Sequence, residues 1–160
     1  MINKLGTMKN SLTPYRIKIA EERDAETCVK LSMESWPEWW SRNMTSGEMH
    51  IKECIKEKRS LIAVSGGRVV AYCVWGRLWN KIHLQDIFVK KKCRRTGLAS
   101  RLFENMKKIA KKQGIREIMS DCDIDNEASI GFHLKKGFKK CGYIKNNWAK
   151  KDSLVFSMRI

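Results

Sequence analysis

The chain has 160 residues and 42% hydrophobic content, enough for one ordinary core and too little for two. Thirty-three Lys and Arg against 17 Asp and Glu leave a formal charge of +16, which favours polyanionic company without choosing among nucleic acid, an anionic membrane surface or a phosphorylated small molecule. No apolar run reaches the roughly 20 residues needed to cross a bilayer, no leader-like stretch is visible, and six scattered cysteines without a CxxC pair point to reduced thiols rather than zinc or disulfides. The expectation is a soluble cytoplasmic protein with no metal.

Residues 1–14 are polar and patternless, so they read as an extension with an alternative start at Met8, and the folded domain is expected over 15–160. The alternation Tyr15, Ile17, Ile19 predicts a first strand. Asp24 can then cap a helix carrying Ala25, Cys28, Val29 and Ser32 at helical spacing. Pro37, inside Trp36-Pro37-Glu38-Trp39-Trp40, is expected to break that helix, and a second helix is expected from about Ser46 to Lys58.

Two apolar runs, Leu61 to Val64 and Val69 to Trp75, flank Gly66-Gly67, a hairpin signal because glycine accepts positive φ. A third run, Ile82 to Val89, completes a meander. After the basic loop Lys90 to Thr96, Leu98, Leu102, Met106, Ile109 and Ala110 form one helical stripe that Gly114 ends. Ile115 to Cys122 reads as a strand, Asn126 to Lys136 as a helix closed by Gly137, and Phe138 to Ile144 and Leu154 to Ile160 as two last strands. The order implies an α/β (α+β) fold with a mixed sheet. The paired lysines at 107–108, 111–112, 135–136, 139–140 and 150–151 read as solvated faces, and no internal repeat is present.

The most informative segment is Arg94-Arg95-Thr96-Gly97-Leu98-Ala99, placed between a strand and the first turn of an amphipathic helix. A helix start exposes unpaired N–H groups and the positive end of the dipole, and a glycine there lets an anion such as a pyrophosphate approach the main chain. Arg94 and Arg95 add formal charge. The segment lacks the Lys-Ser/Thr ending of a P-loop and the three glycines of a dinucleotide fingerprint.

The hexapeptide resembles the Q/R-x-x-G-x-G/A acetyl-CoA signature of the GNAT superfamily of N-acetyltransferases, with Arg94, Gly97 and Ala99 at its fixed positions. Asn126 through Ser129 to His133-Leu134-Lys135-Lys136-Gly137-Phe138 is similar to the same superfamily's second block, N-x-x-A/S with a Y/H-x-K-x-G-F ending. The resemblance covers about nine-tenths of the chain and implies a mostly antiparallel sheet of about seven strands, flanked by about four helices, with a splayed central strand pair. It implies that backbone groups of Ile87, Phe88 and Val89 pair with the pantetheine arm. The amides of Arg94, Arg95, Thr96, Gly97, Leu98 and Ala99 would hold the pyrophosphate, and Asn126 and Ser129 would touch the cofactor. Asn126 also suits a helix N-cap.

The reaction implied is direct attack of a neutral amine on a thioester, which needs a base, oxyanion donors and modest help for the leaving thiolate. His133 stands where a tyrosine acid is usual, as in phosphinothricin-type acetyltransferases, and is either the thiol's partner or a packed, hydrogen-bonded residue. Asp121 is the favoured base, by similarity to ribosomal-protein N-terminal and aminoglycoside 6′-N-acetyltransferases, with Asp123 and Asp86 as rivals or structural residues. Met33-Glu34-Ser35-Trp36-Pro37-Glu38 also resembles the start of some aminoglycoside 6′-N-acetyltransferases, although a +16 chain repels a polycation unless its cleft is locally acidic. The acceptor is left open among a small-molecule amine, a protein N-terminus and an aminoglycoside. Weak binding of other polyanions and a homodimer are compatible with the sequence, and the competing function is a basic RNA- or ribosome-binding module on the same fold.

Overall fold

The computed structural model describes residues 15–148 and 150–160; the extension expected over 1–14 lies outside the described residues. Along the chain run β1 (Arg16–Ile19), α1 (Ala25–Ser35), α2 (Pro37–Lys56), β2 (Ser60–Ser65), β3 (Arg68–Leu78) and β4 (Lys81–Val89). They are followed by α3 (Leu98–Lys112), β5 (Glu117–Asp123), α4 (Glu127–Lys135), β6 (Lys139–Trp148) and β7 (Lys151–Arg159). The strands form one seven-stranded sheet in the order β1-β2-β3-β4-β5-β7-β6. Every neighbouring pair is antiparallel except β4 and β5.

Both faces of the sheet are covered, which explains why Val70 to Trp75 on β3 is buried at every position. On one face α3 presents Leu98, Leu102, Phe103, Met106 and Ala110 to Cys73, Trp75, Ile82 and Ile118. Each side chain as enclosed as Leu102 or Phe103 contributes about 1.5–3 kcal/mol by leaving water. On the other face α1 and α2 set Cys28, Leu31, Trp40, Ile51 and Ile55 against Ile62, Tyr72 and Val74.

Two local expectations are corrected. Asp24 does not cap α1 through its side chain; the carboxylate accepts instead from the Glu21 amide at 3.0 Å and from Lys18 at 2.9 Å, fixing the turn before the helix. The second helix starts at Pro37, not near Ser46, because proline at the first helical position has no N–H to leave unsatisfied. The helix bends at Asn43, whose φ of −132° is non-helical and whose side chain donates to the Trp39 carbonyl at 2.9 Å. The apolar pattern beyond that bend is what the sequence displayed as a separate start.

Gly47 in α2 is held by packing. A Cβ there would meet Trp39 Cζ3 at 2.6 Å and Trp40 Cη2 at 2.9 Å. Replacing a helical glycine by alanine ordinarily gains about 1 kcal/mol. Here the overpacking reverses the sign, so Gly47→Ala is expected to lower stability by about 1–3 kcal/mol, read as a fall in Tm. A raised Tm would show that the two rings yield.

Candidate active site

The parallel pairing of β4 with β5 is short: Ile82 faces Ile118, His83 faces Met119 and Leu84 faces Ser120, and there it stops. The next residue, Gln85, falls at a register shift in the β3–β4 ladder, where Val74 pairs with Asp86 and Trp75 with Leu84. An extra residue bends and twists its strand, so β4 turns away from β5 and the sheet opens. The Ser120 hydroxyl marks the vertex, 2.9 Å from the Leu84 carbonyl and 2.8 Å from His133 Nε2.

Beyond the vertex, Ile87 and Val89 pack toward the α3 core while Phe88 packs toward α1 and α2. The Ile87 amide donates to the Asp86 carboxylate. Arg94 lies back along the strand, its Nε donating to the Val89 carbonyl at 3.0 Å and its guanidinium 5.7 Å from the centre of the Phe88 ring. The Thr96 hydroxyl donates to the Cys93 carbonyl at 2.8 Å, Arg95 sits at φ 65°, and Gly97 follows at φ 78° as the N-cap of α3. No side chain caps that helix start, and open space lies where a Gly97 Cβ would stand. Leu98 is buried and Ala99 half-buried behind the bend. The first amides of α3 therefore lie beside open space, with Lys91, Lys92, Arg94 and Arg95 just before them in the chain, and a helix start of this kind favours an anion such as a diphosphate. These residues fit a coenzyme A pyrophosphate.

Asn126 caps α4, its Oδ1 accepting from the Ser129 amide at 3.0 Å. His133 is 4% exposed, stacked on Phe156. Its Nδ1 lies 2.7 Å from the Ser129 carbonyl, which can only accept, so that nitrogen carries the proton. Burial holds its pKa below the ordinary histidine value and favours the neutral ring, with Nε2 2.8 Å from the Ser120 oxygen. His133 thus sits behind the vertex rather than on an open surface.

On the other side of the split is a cavity of about 270 Å³ between the sheet and α1–α2. Its walls include Trp36, Trp39 and Trp40, and its polar groups include His50, His83, Asp86 and Asp121. Asp121 receives His83 Nε2 at 2.8 Å on one oxygen and Asn147 Nδ2 at 3.0 Å on the other. A carboxylate only accepts, so the neutral His83 ring carries its proton on Nε2 and keeps a lone pair on Nδ1. Sequence reading found Asp121 but not His83 or Asn147. They reach Asp121 from β4 and β6, and no local spacing announces a meeting made by three strands.

Asp86 is differently occupied. It accepts from the Tyr72 hydroxyl, the Trp36 side chain and the Ile87 amide, while Trp40 Nε1 donates to Ser32, which is bonded in turn to Tyr72. The network fixes the tryptophan wall. Burial outweighs the three donors and pushes the Asp86 carboxyl up to about 6. Its folded value lies above the unfolded one of about 3.9, so the folded state holds the proton more tightly, and the stability this gives below about pH 4 is lost as pH rises through about 6. The unmutated protein is therefore expected to lose about 3 kcal/mol relative to Asp86→Asn between those limits. Urea unfolding at several pH values measures the difference, and a flat difference would contradict the burial. Asp123, the other rival, lies two residues beyond Asp121, is 8% exposed and leaves Oδ1 without a hydrogen-bond partner.

A strand pair that opens beside an uncapped helix start, with an acid- and imidazole-lined cavity across the split, has room for an extended anionic cofactor and an acceptor to meet. Comparison with known proteins agrees. The model of the acetyltransferase (GNAT) family matches residues 25–138, most of the chain, and the chain belongs to that family. Among solved structures, Ard1 from Thermoplasma volcanium superposes with a TM-score of 0.81 at 16% identity, covering 91% of this chain and 97% of that one. The PaiA N-acetyltransferase of Thermoplasma acidophilum, in complex with coenzyme A, gives 0.69 at 20% identity over 92% and 99%. Ribosomal-protein-alanine N-acetyltransferase from Brucella melitensis gives 0.75 at 18% over 91% and 99%. Likeness at these identities speaks to the fold. Aminoglycoside N(6′)-acetyltransferase type 1 of Serratia marcescens is 40% identical over 55 residues, a stretch that is 34% of this chain and 38% of that enzyme. Among the described residues no helix is long and apolar enough to cross a membrane.

Proposed function

We propose that this enzyme acetylates a primary amine on a small cationic molecule, seated in the tryptophan-walled cavity, with His83 as base and Asp121 as its partner. The observation that carries the reading is the 2.8 Å contact between His83 and Asp121 on the cavity wall, just before the strands part. Acidic and aromatic groups together suit an ammonium ion. The short match to an aminoglycoside acetyltransferase also favours a small-molecule acceptor over a protein N-terminus.

Acetyl-CoA, when bound, supplies the thioester carbon for attack. The amides at the start of α3, with Arg94 and Arg95, would hold its pyrophosphate, and Asn126 and Ser129 would border the arm. The amine binds as an ammonium and must lose a proton before it attacks. His83 Nδ1 takes that proton, and the Asp121 carboxylate stabilises the imidazolium through Nε2–H while Asn147 keeps the carboxylate in place. A thiolate whose conjugate acid has a pKa of about 8.5 leaves without a strong acid. Neutral His133 would act through Ser120, fixing the hydroxyl at the vertex.

A panel of small primary amines, scored by acetyl-CoA-dependent release of free thiol, tests the proposal. Turnover with cationic small amines is expected. Turnover with protein N-termini alone would sink it, as would tight, steeply salt-dependent RNA binding without any amine turnover.

A further inference from the structure

A second recess of about 590 Å³ adjoins the acceptor cavity, and Trp36 and Trp39 border both. Its charged lining is Glu38, Asp123, Asp125 and Glu127 against a single Lys151. On a chain of formal charge +16, this local reversal of sign is unexpected. Helix dipoles account for part of it, since Glu38 and Glu127 lie in the first turns of α2 and α4, where a carboxylate is favourable. No such account covers Asp123 and Asp125. Asp123 is 8% exposed, and its Oδ1 is buried without a hydrogen-bond partner. A buried acceptor left unmade ordinarily costs stability, and a donor entering this recess would supply the missing partner.

We propose that this recess receives a second ammonium group of the acceptor, making the enzyme's substrates diamines and polyamines. The inference rests on the reading that the reacting amine lies at His83 and Asp121. Asp121 and Asp123 are alternate residues of β5, so they share a face about 7 Å apart along the strand. Two ammonium groups joined by a short aliphatic spacer match that interval, and Trp36 and Trp39 offer the spacer an apolar wall and the cations a π face. Burial, with Asp121, Asp125 and Glu38 nearby, holds the Asp123 pKa above the usual carboxylate value, while Lys151 opposes the shift; an incoming ammonium relieves that crowding. None of the four carboxylates joins a salt bridge among the described residues. Nor do three His, Cys, Asp or Glu side chains converge there closely enough to hold a metal ion, which favours an ammonium over a divalent cation.

The test compares kcat/KM for a series of α,ω-diamines with that for the monoamines of equal chain length, using the full chain at low ionic strength. The unmutated protein is expected to favour its best diamine by at least about tenfold. Asp123→Asn, and the pair Asp125→Asn with Glu127→Gln, are expected to collapse that ratio toward one through KM. Lys151→Ala, which removes the competing cation, is expected to raise it, an outcome that loss of structure cannot imitate. Equal kcat/KM for diamine and monoamine in the unmutated protein overturns the inference while leaving acetyl transfer to small amines intact. A parallel loss on both substrates in the acidic variants, with no gain in Lys151→Ala, assigns the carboxylates to stability and also overturns it. If neither monoamines nor diamines turn over, the reading of the acceptor cavity fails, and the inference with it.

Discussion

Gly97→Asp is expected to abolish acetyl-CoA binding. The substitution sets a carboxylate at the bend where a diphosphate should meet the first amides of α3, turning an attraction between anion and helix dipole into repulsion between anions. Open space is available for the new side chain, so the lesion is electrostatic rather than a clash. In the unmutated protein a ligand present at about 100 times its Kd adds about 2.7 kcal/mol, which for a chain of this size raises Tm by roughly 5–10 °C. With millimolar acetyl-CoA that shift should vanish in Gly97→Asp. Gly97→Ala is the control, because the φ of 78° costs a non-glycine residue about 1 kcal/mol of stability but adds no charge. It should unfold earlier yet keep most of the ligand-induced shift. A full shift in Gly97→Asp would mean that the diphosphate lies elsewhere.

The strand, bend and helix on which that prediction rests were legible because everything defining them is local. A strand, a basic loop, one glycine and a five-position apolar stripe occupy consecutive residues, and the structure returns them as β4, the Arg94–Gly97 bend and α3. The hairpin at Gly66-Gly67 and the cap at Asn126 were legible for the same reason. The start of α2 was misjudged because proline ends a helix from within and begins one from its first position, and the letters alone do not say which. His83 was illegible for a deeper reason. It stands thirty-eight positions before Asp121, and only the three-residue parallel pairing of β4 with β5 brings the two together. Asn147 needs β7 inserted between β5 and β6 before it can reach the same carboxylate. The acidity of the cleft was hidden likewise, since Glu38 and Asp123 are far apart in the sequence and are outvoted in the net charge.

The pairing of His83 with Asp121 leads to a large kinetic effect with a distinctive pH dependence. Removing a positioned general base typically costs about 10²–10⁴-fold, so His83→Ala is expected to lower kcat by that order near neutral pH. A base matters most where the amine is otherwise protonated. The deficit should therefore shrink as pH approaches the amine's own pKa, about 10 for an alkylamine, leaving a rate that tracks amine deprotonation alone. Asp121→Asn should reproduce most of the loss, because an uncharged amide no longer stabilises the imidazolium and can hold the ring in the other tautomer. Groups acting as a unit are strongly non-additive, so the double variant should be little worse than either single one. Stopped or continuous thiol-release assays across pH distinguish the alternatives. Multiplying losses would separate the two residues into independent roles. A deficit confined to high pH would remove His83 from proton transfer and leave it a wall of the cavity.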